Sequence, residues 1–447
     1  MAGFVPHTRT DVEAMLAFLG LGSTEELFGS IPQAIRLAGG LALEPGISEA
    51  DLAARLGELA ERNRFGSDLV CFAGGGAYDH EIPAVTRALA GRSEFVTAYT
   101  PYQPEVAQGV LQAVFEYQTM IARLTGLEVA NASLYDGSAA LVEATNLAVA
   151  TTGCERVVCS QGVHPHWRAV LQTFAKGPGH HIETIPLIEG RTNWQKTPEG
   201  ALGAVVVGYP NYLGALEELS EAKALASASG ALLIVCQDPI AAGLLLTPGE
   251  LGADVVVGEG QALGTSLGFG GPYLGLFACR LELVRKLPGR LVGETVDVDD
   301  RRAYVMTLRA REQDIRREKA SSNVCTNQTL MAVTTAIQLG WLGTSGLREL
   351  ALRCFRGTRY CKEAALQVPG VSLATEAPTL REFALRTPLD AELVIERMAE
   401  EGYLAGVSVR EGFEGTDVEG ALLVAVTERR TRGEIDGFVA ALEKVCA

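Results

Sequence analysis

The run Val255-Val256-Val257-Gly258-Glu259-Gly260-Gln261, followed by Gly264 and by Gly268-Phe269-Gly270-Gly271-Pro272, decides how this chain is read. Three β-branched residues leading into glycines describe a buried strand that delivers its last residues to a site. The residue delivered is an amide, Gln261, which is neither a nucleophile nor an acid.

Working outward, the same kind of run recurs. Arg156-Val157-Val158-Cys159, Ala204-Val205-Val206-Val207 and Ala231-Leu232-Leu233-Ile234-Val235 are short and apolar, and amphipathic stretches such as 216–229 lie between some of them. Strands alternating with helices predict an α/β domain over residues 68–327, its mainly parallel sheet covered on both faces. Before it, residues 1–67 read as a helical N-terminal arm. Asp11 to Leu19 has helical spacing, and Ser48 followed by Asp51 opens a helix running to about Asn63. After it, residues 328–447 predict a small α+β domain. A helical stretch from Thr326 to about Gln367 leads to apolar runs at 381–385 and 421–426, with helices at 391–401 and 431–445.

The 447 residues are 47% apolar, enough to bury a large core. A net charge of −16 argues against nucleic acid. No apolar stretch of roughly 18 residues is present, so no membrane span is expected. Met1 to Met15 carries Asp11 and Glu13 and reads as neither signal peptide nor anchor. Nine cysteines lack any Cys-x-x-Cys pair, so the expectation is reduced thiols, a cytoplasmic location and no metal.

Several residues carry candidate chemistry. Gly137 and Ser138, before a long apolar helix, offer free N–H groups to an anion, or an ordinary helix cap. His164, after the strand at 157–160, would stack on a planar ring or pack locally. Asp238, after the strand at 232–236, would pair with a pyridine nitrogen or cap a helix. Gln261 cannot form a Schiff base, which needs an amine. The chain has seven lysines, and none follows a sheet strand in the right place. In the cluster Arg309 to Lys319, an i,i+4 pair between Glu312 and Arg316 predicts a solvated helix face. Ser321, Ser322, Asn323 and Thr326 follow it and can cradle a phosphate with hydroxyls and N–H groups.

Four motifs together resemble the glycine-decarboxylating P-protein of the glycine cleavage system, in its split form, and specifically the N-terminal or alpha half. They are residues 98–105 (Ala-Tyr-Thr-Pro-Tyr-Gln-Pro-Glu), 258–272, 311–319 (Arg-Glu-Gln-Asp-Ile-Arg-Arg-Glu-Lys) and 322–328 (Ser-Asn-Val-Cys-Thr-Asn-Gln). The resemblance covers essentially the whole chain. It implies a type I fold of pyridoxal-phosphate (PLP) enzymes and a lysine-bearing sister, subunit 2, in an alpha2-beta2 assembly. In that sister the cofactor lysine precedes Gly-Gly-Pro by the interval that separates Gln261 from Pro272. PLP is then held covalently by the sister, and Gly137, Ser138, His164, Asp238 and Gln261 are remnants of a pseudo-site. The implied reaction decarboxylates glycine, releases CO2 and passes the aminomethyl group to the lipoyl arm of H-protein.

Residue chemistry, rather than the resemblance, selects Tyr99, Tyr102, Arg316, Ser321, Ser322, Asn323 and Thr326 as contributors to the sister's active site. For the two tyrosines, interface packing is the competing reading. Two other readings of the chain stay open: a self-sufficient PLP enzyme using Lys319, and a subunit that only stabilises its partner.

Overall fold

The computed structural model describes residues 6–37, 41–64 and 68–447. The chain divides into two compact units, Met1–Arg64 and Phe65–Ala447. The expected end of the arm, residue 67, lies outside the described residues.

In the first unit the sequence signals act as expected. Thr8 accepts a hydrogen bond from the Asp11 N–H while the Asp11 carboxylate accepts from Thr8 N, and this capping box opens helix Arg9–Leu19. The Ser48 hydroxyl caps helix Glu49–Ala60 by accepting from Asp51 N. Neither helix buries a side chain.

The second unit is built on a seven-stranded sheet. Its order is Val129–Ala130, Gly275–Cys279, Val255–Glu259, Leu232–Gln237, Ala204–Tyr209, Arg156–Ser160 and His181–Ile185. The last five run parallel, and Gly275–Cys279 is antiparallel to the Val255–Glu259 strand. Alternate side chains of the central strands enter opposite cores. Val205, Val207, Leu233, Val235 and Val256 pack with Tyr117, Ile121 and Ala332. Ala204, Val206, Ile234, Val255 and Val257 pack with Leu141, Ala144 and Leu171. Burial on both faces explains why these strands read as continuous apolar runs instead of alternating ones.

The helix Thr329–Ala365 breaks at Gly343, whose φ of 59° and ψ of −178° leave the helical region. It leads to a four-stranded antiparallel sheet ordered Ser372–Leu373, Glu382–Arg386, Ala421–Ala425 and Val407–Val409. Helices Ala391–Glu400 and Arg432–Cys446 contribute to the core beside it. Val70–Cys71 pairs parallel with Tyr403–Leu404. The chain after the arm therefore first joins the C-terminal region, a link that the expected boundaries 68–327 and 328–447 cut across. All nine cysteines are free, and Cys236 and Cys279 are buried as small core residues.

Candidate functional site

The carboxyl ends of the parallel strands are where an open α/β sheet receives a ligand. Here they converge on Gln261, two residues past the strand Val255–Glu259 and only 1% exposed. Its amide is fully engaged. Oε1 accepts from Tyr78 N at 2.8 Å, and Nε2 donates to Tyr78 O at 3.1 Å and Thr265 O at 2.7 Å. An amide can pair with both the N–H and the C=O of one backbone unit; an ammonium, which only donates, cannot.

Tyr78 is brought there by the glycine run Gly74-Gly75-Gly76. A Cβ on Gly76 would lie 2.8 Å from the His164 ring, and one on Gly74 would lie closer still to Glu382. Only glycine lets this loop enter. The Tyr78 hydroxyl donates to Glu382 Oε2 at 2.6 Å, and the other Glu382 oxygen accepts from Gly75 N at 2.7 Å. The Arg381 guanidinium lies 3.4 Å from the Tyr78 ring centroid, a close cation–π contact. It pairs with Asp238 Oδ2 at 2.7 Å and donates to His80 Nε2 at 2.5 Å. Burial alone would lower the Arg381 pKa, but Asp238, Tyr78 and Glu382 hold it above its ordinary value.

Each candidate of the pseudo-site is accounted for. Asp238 caps the short turn Pro239–Gly243 through Ile240 N, and its second oxygen is taken by Arg381. Gly137 begins the helix Gly137–Thr152, whose cap is Asp136; that carboxylate accepts from Ala139 N and from the Ser138 hydroxyl. Gly137 N itself donates to Glu259 Oε2 at 3.0 Å, while Glu259 Oε1 accepts from Gln261 N at 3.0 Å and Leu274 N at 2.9 Å. Burial pushes the Glu259 carboxyl up to about 7 against those three N–H bonds. His164 packs locally. Its Nδ1 accepts from His166 N, leaving Nε2–H to donate to Gly75 O at 2.7 Å. Its ring lies 6.0 Å from Trp167, near parallel, and edge-on to Tyr212 at 5.0 Å. Burial lowers its pKa to about 4, so it stays neutral near pH 7.

The space left among these groups is about 90 Å3, bounded by His164, Tyr212, Asp238, Glu259 and Arg381. A wider opening of about 500 Å3 lies beside it, lined by Tyr135, Ser138, His166 and Gln328. The residues present do not fit PLP. No amine stands at Gln261, Arg381 already pairs with Asp238, and the Gly137 N–H at the helix start is already taken by a Glu259 oxygen.

A polar chain continues from Arg381 through His80, whose Nδ1 lies 2.6 Å from Glu428 Oε2. His80, Cys354 and Glu428 have ligand-type atoms within 4.8 Å of one another. Arg381 at one His80 nitrogen and Glu428 at the other mark this as an ion network, not a metal centre. Burial would raise the Glu428 pKa, but the hydrogen bonds it accepts from His80 Nδ1 and Glu81 N lower it to about 2. A folded pKa below the ordinary 4.5 means that this carboxylate stabilises the fold fully above about pH 4.5 and progressively less toward pH 2. Glu428→Gln should therefore flatten the loss of urea resistance between pH 6 and pH 3. A native-like slope in that variant would refute the assignment.

The residues expected to reach a partner are mostly on the surface. Tyr99 is 82% exposed, and Arg316, Ser321, Asn323 and Thr326 are exposed. Ser322 is half-buried, its hydroxyl accepting from Val324 N. The Glu312–Arg316 pair does not form: Gln313–Arg316 is a single helical turn, Arg316 Nε donates to Ala310 O, and Arg309 pairs with Asp314 instead. Lys319 is exposed in the short turn Arg317–Lys319.

Sequence reasoning missed the residue that ties two of these segments together. Arg290, 6% exposed, donates to Tyr102 Oη at 3.1 Å, Asn327 Oδ1 at 3.0 Å and Cys325 O at 2.6 Å. Its guanidinium and that of Arg309 lie 5.3 and 5.0 Å from the Tyr102 ring centroid. Asn327 in turn donates to Ala132 O and Ser133 Oγ. Tyr78, Arg381 and the role of Glu259 were also missed. The three glycines before Tyr78, and two charges opening the apolar run at 381–385, were the available signals.

Comparison with known proteins places the chain. The profile of the glycine cleavage system P-protein family matches residues 2–442. A relative from Desulforamulus reducens, described as probable glycine dehydrogenase (decarboxylating) subunit 1, is 45% identical over 98% of this chain and 99% of its own. One of the same description from Moorella thermoacetica is 46% identical over 99% and 100%. A crystal structure of glycine decarboxylase (P-protein) in inhibitor-bound form superposes with a TM-score of 0.91 at 45% identity, covering 99% of this chain and 100% of that one. A Lactobacillus brevis glutamate decarboxylase shares the fold at a TM-score of 0.68 and 13% identity, over 94% and 97% of the two chains. The fold is the type I fold of PLP enzymes, as the resemblance implied. Among the described residues no helix is long and apolar enough to cross a membrane. The chain belongs to the glycine cleavage system P-protein family.

Proposed function

We propose that this chain is the half of a split glycine decarboxylase that bears no cofactor lysine. A second subunit holds PLP covalently on its own lysine, and the two act together on glycine. The products are CO2 and an aminomethyl group passed to the lipoyl arm of H-protein, and the assembly is alpha2-beta2. One observation carries this reading. Gln261, which the motif spacing matches to the sister's lysine, is buried with every amide group bonded to its own chain.

The electron sink for decarboxylation is the cofactor's contribution. What remains for this chain is binding, orientation and exclusion of water around the sister's pocket. Tyr99 and Tyr102 suit a wall, because their rings present apolar area and their hydroxyls bond. Arg316, Ser321, Ser322, Asn323 and Thr326 suit the anionic groups, a cofactor phosphate or the glycine carboxylate. The exposure of most of them in the isolated chain supports a face that is completed by another subunit.

The test is glycine–bicarbonate exchange by this chain alone, by its sister alone and by the mixture, each supplied with PLP and lipoylated H-protein. Activity is expected only in the mixture. Exchange by this chain alone would overturn the reading and favour a lysine such as Lys319. Full exchange by the sister alone would reduce this chain to a stabilising role.

A further inference from the structure

Losing the lysine is one change; the site shows others that point the same way. Three features are needed to hold PLP: an amine for its aldehyde, a carboxylate opposite its ring nitrogen, and N–H donors at a helix start for its phosphate. In this chain each is met by a side chain of its own. The Gln261 amide is closed on the backbone of Tyr78. Arg381 supplies the cation opposite Asp238, and its guanidinium lies face-on to the Tyr78 ring. Glu259 supplies the carboxyl oxygen at Gly137 N and gathers two further N–H groups from Gln261 and Leu274.

These contacts also join parts of the chain that are far apart in sequence. Tyr78 and His80 come from the loop after the first strand, Asp238, Glu259 and Gln261 from the ends of the large sheet, and Arg381, Glu382 and Glu428 from the C-terminal region.

We propose that the pseudo-site carries an intramolecular substitute for the cofactor, with Glu259 at the phosphate position, Arg381 at the ring-nitrogen position and Tyr78 between them. The site is therefore closed to PLP independently of the missing lysine. Its role is to hold the strand ends, the Gly74–His80 loop and the C-terminal sheet in one fixed arrangement without a ligand. This inference concerns the chain alone, and it stands or falls whether or not the outer face completes the sister's pocket.

The test restores the amine and asks whether the cofactor returns. The full-length Gln261→Lys chain is incubated with PLP and reduced with borohydride, and the peptide spanning position 261 is analysed by mass spectrometry. The same can be done in the mixture with the sister, because the readout is specific to that peptide. No pyridoxyl adduct is expected at position 261, and added PLP should leave the melting temperature of the variant unchanged. A stoichiometric adduct there would overturn the proposal by showing that the amine alone had been lacking. The native chain gives a second reading that survives poor folding of the variant. Pyridoxamine phosphate, which needs no lysine, should give no saturable heat on titration into it. Saturable one-to-one binding that His164→Ala or Asp238→Asn abolishes would equally overturn the proposal.

Discussion

Replacing Arg381 with leucine is expected to destabilise the chain by about 3–5 kcal/mol, the usual consequence of removing one member of a buried ion pair. The Arg381 side chain is 3% exposed and Asp238 16%, so water cannot take over the lost partner's role. The same change removes the donor to His80 and the cation over the Tyr78 ring. Urea unfolding should show a lower midpoint at an unchanged slope, since the surface exposed on unfolding is nearly the same. The partner substitution separates the charge from the packing. If the loss arises from an uncompensated Asp238 carboxylate, Arg381→Leu combined with Asp238→Asn should be less destabilised than the sum of the single changes. Additivity of the two would show that the pair is not what holds the site. A loss below about 1 kcal/mol for Arg381→Leu, typical of exposed ion pairs, would contradict the buried geometry itself.

That network marks where the sequence stopped being legible. The large sheet was readable because burial on both faces writes strands as unbroken runs, and Val255–Val257, Ala204–Val207 and Leu232–Val235 all fall in it. Caps at Thr8 and Ser48 were readable because the bonds they make span only three residues. The motif at 258–272 placed Gln261 correctly at a strand end, since that position depends on local chain geometry. What the glutamine does there was not readable. Its partner Tyr78 is 183 residues away in sequence, and the Tyr78–Glu382 bond spans 304. No periodicity or spacing encodes such contacts. Asp238 illustrates the limit: one oxygen obeys the local rule as a cap, and the other answers to Arg381, 143 residues on and just before the strand Glu382–Arg386. The run 309–319 failed for the opposite reason. Its charge pattern suggested a continuous helix, but the backbone turns out of the helical region at Arg317, with φ of 53°, and the pair at Glu312 and Arg316 never meets. Arg290 follows Leu287-Pro288-Gly289, where nothing local marks it, yet it is the buried hub of its neighbourhood.

Arg290→Lys tests whether that hub matters to the proposed shared site. One planar guanidinium donates to Tyr102, Cys325 and Asn327 together, which joins segment 98–105 to segment 322–328. Lysine keeps the charge but has no fork with which to span three acceptors in one plane. The expected result is a heteromer that assembles normally and turns over about 10²-fold more slowly, the scale on which a misplacement of roughly 1 Å near reacting groups acts. Tyr102→Phe removes only the 3.1 Å bond and keeps the ring within 5.3 Å of both guanidiniums, so a smaller loss is expected. In the double variant the tyrosine change should add little, because Arg290→Lys has already removed the donor to that hydroxyl. A merely structural role would instead lower assembly and turnover in proportion, with the kcat per assembled heteromer intact. Full kcat in an intact Arg290→Lys heteromer would leave Tyr102 as packing and remove this face from the catalytic argument. A selective fall in kcat would show that this chain, which cannot bond the cofactor through Gln261, still governs how fast the reaction runs.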